Sequence, residues 1–235
     1  MIQDYICLDL ETTGLDPKTD KIIEIGAVKV RNGKITDQFQ SFVNPGRLLL
    51  PKIIELTGIS DSDLKNAPSI EEVLPLFLEF SKDECFLGHS ILFDYSFMKK
   101  AVVNFDGKNS YEKMGLDTLK ISRKHLASLE SRRLSYLCAY YGIEQKAHRA
   151  LGDAIATHVL YQKLLEQFYE GNEADFAPAQ LVYKVKRETP ITKAQKERLS
   201  KLIALHKIDY LYDLDKLTRN EASRITDQIR STYVQ

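Results

Sequence analysis

The sequence has no tryptophan, and its three cysteines (Cys7, Cys85 and Cys138) form no Cys-x-x-Cys pair. An odd count at such wide spacing fits a reducing compartment and no thiolate zinc site. No Gly-x-Gly occurs anywhere, so nothing supports a glycine-rich dinucleotide or P-loop nucleotide site. No apolar run approaches the roughly 18 residues of a membrane-spanning helix. The first residues carry Asp4 and lack a basic start followed by an apolar stretch, so no secretory signal is evident. Net charge is absent too: Lys plus Arg and Asp plus Glu each total 33. A surface that trapped polyanions over its whole extent would be basic, and this one is not. A soluble, cytoplasmic protein with no membrane partner is the expectation.

What is present is ordinary for a folded chain. The 235 residues, 43% apolar and 28% charged, suffice for one full-sized domain and a small appendage. Tyr5–Leu8 is a short apolar run ending at Asp9. Ile22–Val30 follows, then Arg31-Asn32-Gly33-Lys34, then a partly alternating stretch from Ile35 to Val43. Asn-Gly between two β-rich runs is a strong hairpin signal, so a three-stranded antiparallel meander is predicted. Beyond Pro45 the period changes. Ser69 and Glu72 have capping-box spacing ahead of Val73, Leu76, Phe77 and Phe80 at helical intervals. Cys85–Gly88 reads as a buried strand, Phe93–Val103 as a helix, and Met114–Leu116 as a strand ending at Asp117. Helices are predicted from Arg132 to Tyr141, closed by Gly142, and from Ala150 to Phe168.

Residues 170–178 are polar and carry Gly and Pro, which places a boundary there. The division is a domain over 1–170, a linker over 171–189 and a helical module over 190–235. No internal repeat is evident. The tail differs in charge: residues 184–235 hold 12 Lys/Arg against 7 Asp/Glu, a net of +5, and residues 1–183 hold 21 against 26, a net of −5.

Several acids stand where strands end or helices begin. Asp9 and Glu11 flank Leu10, and a period of two puts both carboxylates on one face of the strand. Asp94 follows the Gly88-His89-Ser90 break, and Asp153 opens the last long helix five residues after His148. Gathered together, four carboxylates repel one another unless a cation compensates, and hard ions such as Mg²⁺ or Mn²⁺ suit oxygen ligands. Taken singly, each acid reads equally as a cap on exposed N–H groups. Spacing alone does not bring positions 9, 94 and 153 together.

Three segments carry a resemblance that does. Asp9-Leu10-Glu11-Thr12-Thr13-Gly14-Leu15, Gly88-His89-Ser90-Ile91-Leu92-Phe93-Asp94 and His148-Arg149-Ala150-Leu151-Gly152-Asp153-Ala154 resemble, in order, the three motifs of the DEDDh (DnaQ-like) 3′→5′ exonucleases, the family of epsilon-type and polymerase-embedded proofreading domains. The match covers about residues 4–168. It implies an α/β fold: a ribonuclease H-like five-stranded mixed sheet flanked by helices, here with a small C-terminal helical domain. It implies two divalent ions, Mg²⁺ or Mn²⁺, held by Asp9, Glu11, Asp94 and Asp153, with Asp9 bridging and His148 as general base. It further implies contacts to the terminal nucleotide from Thr12, Thr13, Leu15, Thr57, His89, Ser90 and Phe93, and a supporting place for Asp117. Where the family usually has Asn and then a small residue after the second-motif histidine, this chain has Ser90 and Ile91.

The implied reaction releases nucleoside 5′-monophosphates from the 3′ end of DNA, single-stranded or frayed, in proofreading or repair. An exoribonuclease acting on RNA is the alternative, and a non-catalytic nucleic-acid-binding adapter a further one. In the tail, Lys193, Lys196, Arg198 and Lys201 lie outside an apolar stripe, and Thr218 with Glu221 repeats the capping-box spacing. Residues 184–235 are therefore expected to contact nucleic acid or a polymerase or replication partner, unless they form only a solvated helical pair. Gln180–Tyr183 faintly resembles a sliding-clamp-binding peptide.

Overall fold

The computed structural model describes residues 1–107, 111–145, 149–208 and 213–233. The chain divides into two compact units, one of Met1–Pro45 with Leu49–Val185, the other of Gly46–Leu48 with Lys186–Gln235.

The first unit is built on β1 (Tyr5–Thr12), β2 (Ile22–Arg31), β3 (Lys34–Phe42), β4 (Phe86–Gly88), β5 (Lys113–Asp117) and β6 (Ala179–Leu181), in the order β3-β2-β1-β4-β5-β6. β1, β4 and β5 run parallel, and β2, β3 and β6 are antiparallel to their neighbours. The meander turns at Asn32 and Gly33, whose φ values of 49° and 72° meet the left-handed demand of a two-residue hairpin. Helices α1 (Pro51–Thr57), α2 (Asp61–Leu64), α3 (Ile70–Ser81), α4 (Ile91–Asp106), α5 (Thr118–His125), α6 (Leu134–Tyr141) and α7 (Ala150–Phe168) complete it. α1 and α2 occupy a stretch for which the sequence offered no helical period.

Alternation along β1 decides which face receives what. Ile6, Leu8 and Leu10 pack with Phe77 of α3 and with Tyr95 and Met98 of α4. Tyr5 and Cys7 point the other way, into a core with Ile121, Leu137, Leu160 and Tyr161 from α5, α6 and α7. Both faces are thus covered, which is why β2 reads as a near-continuous apolar run with only Lys29 and Arg31 reaching solvent.

The sheet has six strands where five were expected. β6 lies inside the segment read as linker and pairs with β5. Three residues are too few to show a period, and the strand fits because Gly115 has no side chain: a Cβ there would lie 2.7 Å from Leu181 Cδ1. Gln180 and Leu181, half of the clamp-peptide resemblance, are thereby committed to the sheet.

The second unit contains α8 (Lys193–Leu205) and α9 (Arg219–Tyr233), packed through Leu199, Ala222 and Ile229. Both helices open on capping boxes, Thr192 with Gln195 and Thr218 with Glu221. The two starts lie side by side: Pro190 and Thr218 form an antiparallel bridge, and Gln195 Nε2 donates to Arg219 O at 3.1 Å. The two helix starts share a short sequence pattern. Ile191–Ile203 and Leu217–Ile229 align in sequence at an offset of 26 positions (191 to 217, 203 to 229). Thr192/Thr218, Gln195/Glu221, Leu199/Ile225, Ser200/Thr226 and Ile203/Ile229 fall at equivalent places.

Candidate active site

The carboxyl ends of the parallel strands β1, β4 and β5 share one edge of the sheet, the edge at which open α/β sheets bind ligands. Asp9 and Glu11 continue the face of Tyr5 and Cys7 beyond the end of the apolar core and are half-buried. Asp153, in the first turn of α7, is buried and comes to them. Ligand oxygens of Asp9, Glu11 and Asp153 lie within 4.8 Å of one another. Asp94 arrives from the opposite face. It sits buried in the first turn of α4, and the Leu10 N–H donates to its Oδ1 at 3.0 Å, which ties it to the strand between Asp9 and Glu11.

Two features outside the motifs make this convergence possible. The first is Gly26, the β2 residue opposite Asp9. A Cβ at Gly26 would lie 2.0 Å from Leu151 N and 2.1 Å from Ala150 C, so only glycine lets the start of α7 settle on the sheet. The second is Glu24, opposite Glu11 and fully buried. Its carboxylate accepts from Arg149 Nη2 at 3.0 Å, from the Ala150 N–H at 3.2 Å and from Gln40 Nε2 at 2.8 Å. A buried carboxylate needs such donors, and here they fasten the beginning of α7. The signal was available, since Glu24 is the one charged residue in the otherwise apolar run Ile22–Val28. Gln145, also unanticipated, donates to Asp153 Oδ1 at 2.6 Å.

Behind the site, Asp117 Oδ1 accepts from the N–H groups of both Ser90 and Leu119 at 2.9 Å, binding the turn before α4 to the start of α5. Ser90 itself is left-handed, with φ 76° and ψ 41°. His89 uses both ring nitrogens inside the chain, Nδ1 with Thr118 Oγ1 and Nε2 with Arg132 O, and braces the same turn. Thr57 is buried; its hydroxyl donates to Ile53 O and accepts from the Ile59 N–H at the end of α1. Thr12 donates to Gly14 O, and Thr13 accepts from the Lys21 N–H, shaping the loop that presents Leu15 at 84% exposure. Phe93 is half-buried with its ring 5.0 Å from that of Phe97. His148 lies outside the described residues.

Electrostatics records the crowding. Burial, then Asp94, Asp153 and Glu11, push the Asp9 carboxyl well above its ordinary range, and burial does the same for Asp94. Glu11 is raised to about 7 by burial, Asp153 and Glu24, with Arg149 opposing. An all-carboxylate donor set pushed towards protonation by burial and mutual repulsion, and short of compensating charge, fits a hard divalent cation.

The chain matches the RNase_T family model, described as exonuclease, over residues 6–161. It is 42% identical over 168 residues to a PolC-type DNA polymerase III of Caldanaerobacter subterraneus subsp. tengcongensis, and 40% identical over 166 residues to the PolC-type enzyme of Thermotoga maritima. These alignments take in 71% and 69% of this chain, which spans about 12% of the length of either relative. Among solved structures, exonuclease X in complex with 5′-overhanging duplex DNA superposes with a TM-score of 0.57 at 23% identity, over 70% of this chain and 92% of that one. The nuclease domain of 3′hExo, a DEDDh family member bound to rAMP, gives 0.62 at 18% identity, over 77% and 98%. Both likenesses establish the ribonuclease H-like fold. The motifs, the carboxylate cluster and the family match agree: this chain belongs to the RNase_T exonuclease family, the DnaQ-like 3′→5′ exonucleases.

Proposed function

We propose that the chain removes nucleotides one at a time from the 3′ end of DNA, releasing nucleoside 5′-monophosphates. The observation that carries this reading is the convergence of Asp9, Glu11 and Asp153 within 4.8 Å, with Asp94 bonded to the backbone between the first two. These four carboxylates would hold two divalent ions, Mg²⁺ or Mn²⁺. When bound, such ions acidify water and offset charge on the attacking and leaving oxygens of a phosphoryl displacement. The chain's own part is positional. His148 takes a proton from the attacking water; its ordinary pKa of about 6.5 suits that task near neutrality. The bond from phosphorus to the 3′ oxygen breaks, and the shortened strand leaves with a 3′-hydroxyl. Thr12, Thr13, Leu15, Ser90 and Phe93 would contact the terminal nucleotide, while His89, Thr57 and Asp117 hold the surrounding turns. The domain doing this takes in residues 1–170 and, through β6, runs on to Val185, with the helical module following it.

The test is digestion of 3′-end-labelled DNA and RNA oligomers of matched sequence, each with and without a 3′ mismatch. Release from DNA is expected, and chelation or Asp9→Ala should abolish it. His148→Ala should lower kcat by about 10²–10⁴-fold, the usual worth of a general base. Release that survives both chelation and Asp9→Ala would overturn the reading. Faster release from RNA would reassign the substrate and leave the chemistry in place.

A further inference from the structure

Residues 1–183 hold 21 Lys/Arg against 26 Asp/Glu, yet residues 118–133 alone hold five against one. Three of the five are on α5. At about 100° per residue, Lys120, Arg123 and Lys124 fall within about 100° of one another, so the exposed face of that helix is basic along its length. Lys124 is engaged, its Nζ donating to Asp175 Oδ1 at 2.6 Å. Lys120 and Arg123 are exposed, and among the described residues neither has a hydrogen-bond or ion-pair partner. Folding gives no reason for Lys120 in particular. It stands in the first turn of α5, where the unsatisfied N–H groups disfavour a cation and no acid offsets it. Asp117, the N-cap, spends its Oδ1 on the N–H groups of Ser90 and Leu119 instead.

Contacts place both cations beside the candidate site. Lys120 lines one cleft with Ile91, Leu92 and Asp117. Arg123 lies next to His89: burial holds that imidazole below its ordinary pKa, and the Arg123 charge acts in the same direction. His89 itself joins Thr118, the first residue of α5, to Arg132 O. Lys120 and Arg123 therefore adjoin a single turn, His89–Ile91, the one that leads into Asp94. β5, from which α5 springs, is two strands from β1, a lateral distance of about 10 Å at about 4.8 Å per strand.

From this we propose that Lys120 and Arg123 contact backbone phosphates of the substrate strand a few nucleotides before its 3′ end, so that the strand leaves the carboxylate cluster across the His89–Ile91 turn and along α5. The inference rests on the nucleic-acid substrate proposed above and assigns it a path. At about 3.4 Å per stacked nucleotide, a distance of about 10 Å corresponds to about three nucleotides. An acidic domain that admits a polyanion at its most acidic point gains most from cations placed beside that point. Phosphate contacts fix position and carry no sequence information, which suits the removal of successive nucleotides of any identity.

The experiment uses the full chain, Ca²⁺ in place of Mg²⁺ or Mn²⁺, and a fluorescently labelled single-stranded deoxyoligonucleotide of about 12 nucleotides, within the range of single-strand binding sites. Affinity is read by anisotropy across a salt series. Lys120→Gln with Arg123→Gln should lower the magnitude of the log affinity against log salt slope by about 1.4, since each phosphate contact on a single strand contributes about 0.7. Affinity at low salt should fall by at least about tenfold. In digestions with Mn²⁺, KM for the same strand should rise by at least about tenfold, and KM for a dinucleotide, which ends short of α5, by less than about twofold. A charge-matched control, Lys34→Gln with Lys163→Gln, should move the slope by less than half as much. Lys34 lies at the hairpin end of the sheet, and Lys163 about 15 Å along α7 from Asp153. Lys120→Arg with Arg123→Lys should keep the slope. An unchanged slope in the first variant, an equal change in the control, or equal rises in KM for the two lengths overturns the proposal. Absence of release by the unmodified chain would overturn the substrate reading instead, and the slopes in Ca²⁺ would still judge the two cations.

Discussion

Asp9 and Glu11 share the strand face of Tyr5 and Cys7, so one alternation first buries a core and then, two residues on, delivers charge to its rim. The consequence is measurable as a pH dependence. Glu11 has a folded-state pKa of about 7 against an ordinary value near 4.5, so in this range the folded protein binds more protons than the unfolded one. The associated stability is fully present below about pH 4.5 and is lost as pH rises through about 7. Thermal melting in chelator should therefore show a midpoint that falls between pH 5 and pH 8, with a smaller fall in Glu11→Gln. Added Mn²⁺ should raise the midpoint more at pH 8 than at pH 5. A second residue-scale effect concerns Ser90, which pays a conformational cost for its left-handed backbone, where asparagine is better tolerated. Ser90→Asn should stabilise the protein by up to about 1 kcal/mol in denaturant unfolding, because the Ser90 N–H bond to Asp117 comes from the backbone and survives the change.

At the scale of elements, the decisive contact is between β2 and the start of α7. Gly26 sets the approach and Glu24 fastens it through Arg149 and the Ala150 N–H. Gly26→Ala should cost about 1–3 kcal/mol, as overpacking does, and should lower kcat by more than its effect on stability explains, because Asp153 moves with the helix. Arg149→Met leaves the buried Glu24 carboxylate with two donors; a loss of about 1–3 kcal/mol is expected by denaturant titration. Glu24→Gln combined with Arg149→Met should recover part of that loss, since the uncompensated charge is then removed. The elements also show where the sequence is readable. The hairpin at Asn32-Gly33, the capping boxes and the long period of α7 are local signals, and each element appears where its signal stands. β6 has three residues, α2 has four, and the pattern shared by the starts of α8 and α9 occurs in only two copies; none of these leaves a period long enough to detect. The proposed ligand acids are legible only through resemblance, since no local rule joins positions 9, 94 and 153. Glu24 and Gly26 went unnoticed because their roles exist only once α7 lies across the sheet.

For the whole molecule, the absence of net charge takes on a different sense. It is the sum of −5 over residues 1–183 and +5 over residues 184–235, and four acids of the negative part are the cluster itself. A polyanion approaching that cluster without a cation meets carboxylates on Asp9, Glu11, Asp94 and Asp153, of which burial and mutual repulsion already hold several towards protonation. Two divalent ions would carry +4 against these four acids and bring the sum over residues 1–183 from −5 to −1. Binding of DNA by the intact chain should accordingly depend on divalent ions before any bond is cut. With Ca²⁺, a hard oxygen-seeking ion, in place of chelator, affinity for a single-stranded oligonucleotide should rise by at least about tenfold at low salt, the range in which screening is weakest. Asp9→Asn should reduce that gain, because it removes one of the ligands proposed to recruit the ion. If Ca²⁺ and chelator give equal affinity in both proteins, the cluster does not gate access to the strand, and the neutral total is a coincidence of composition.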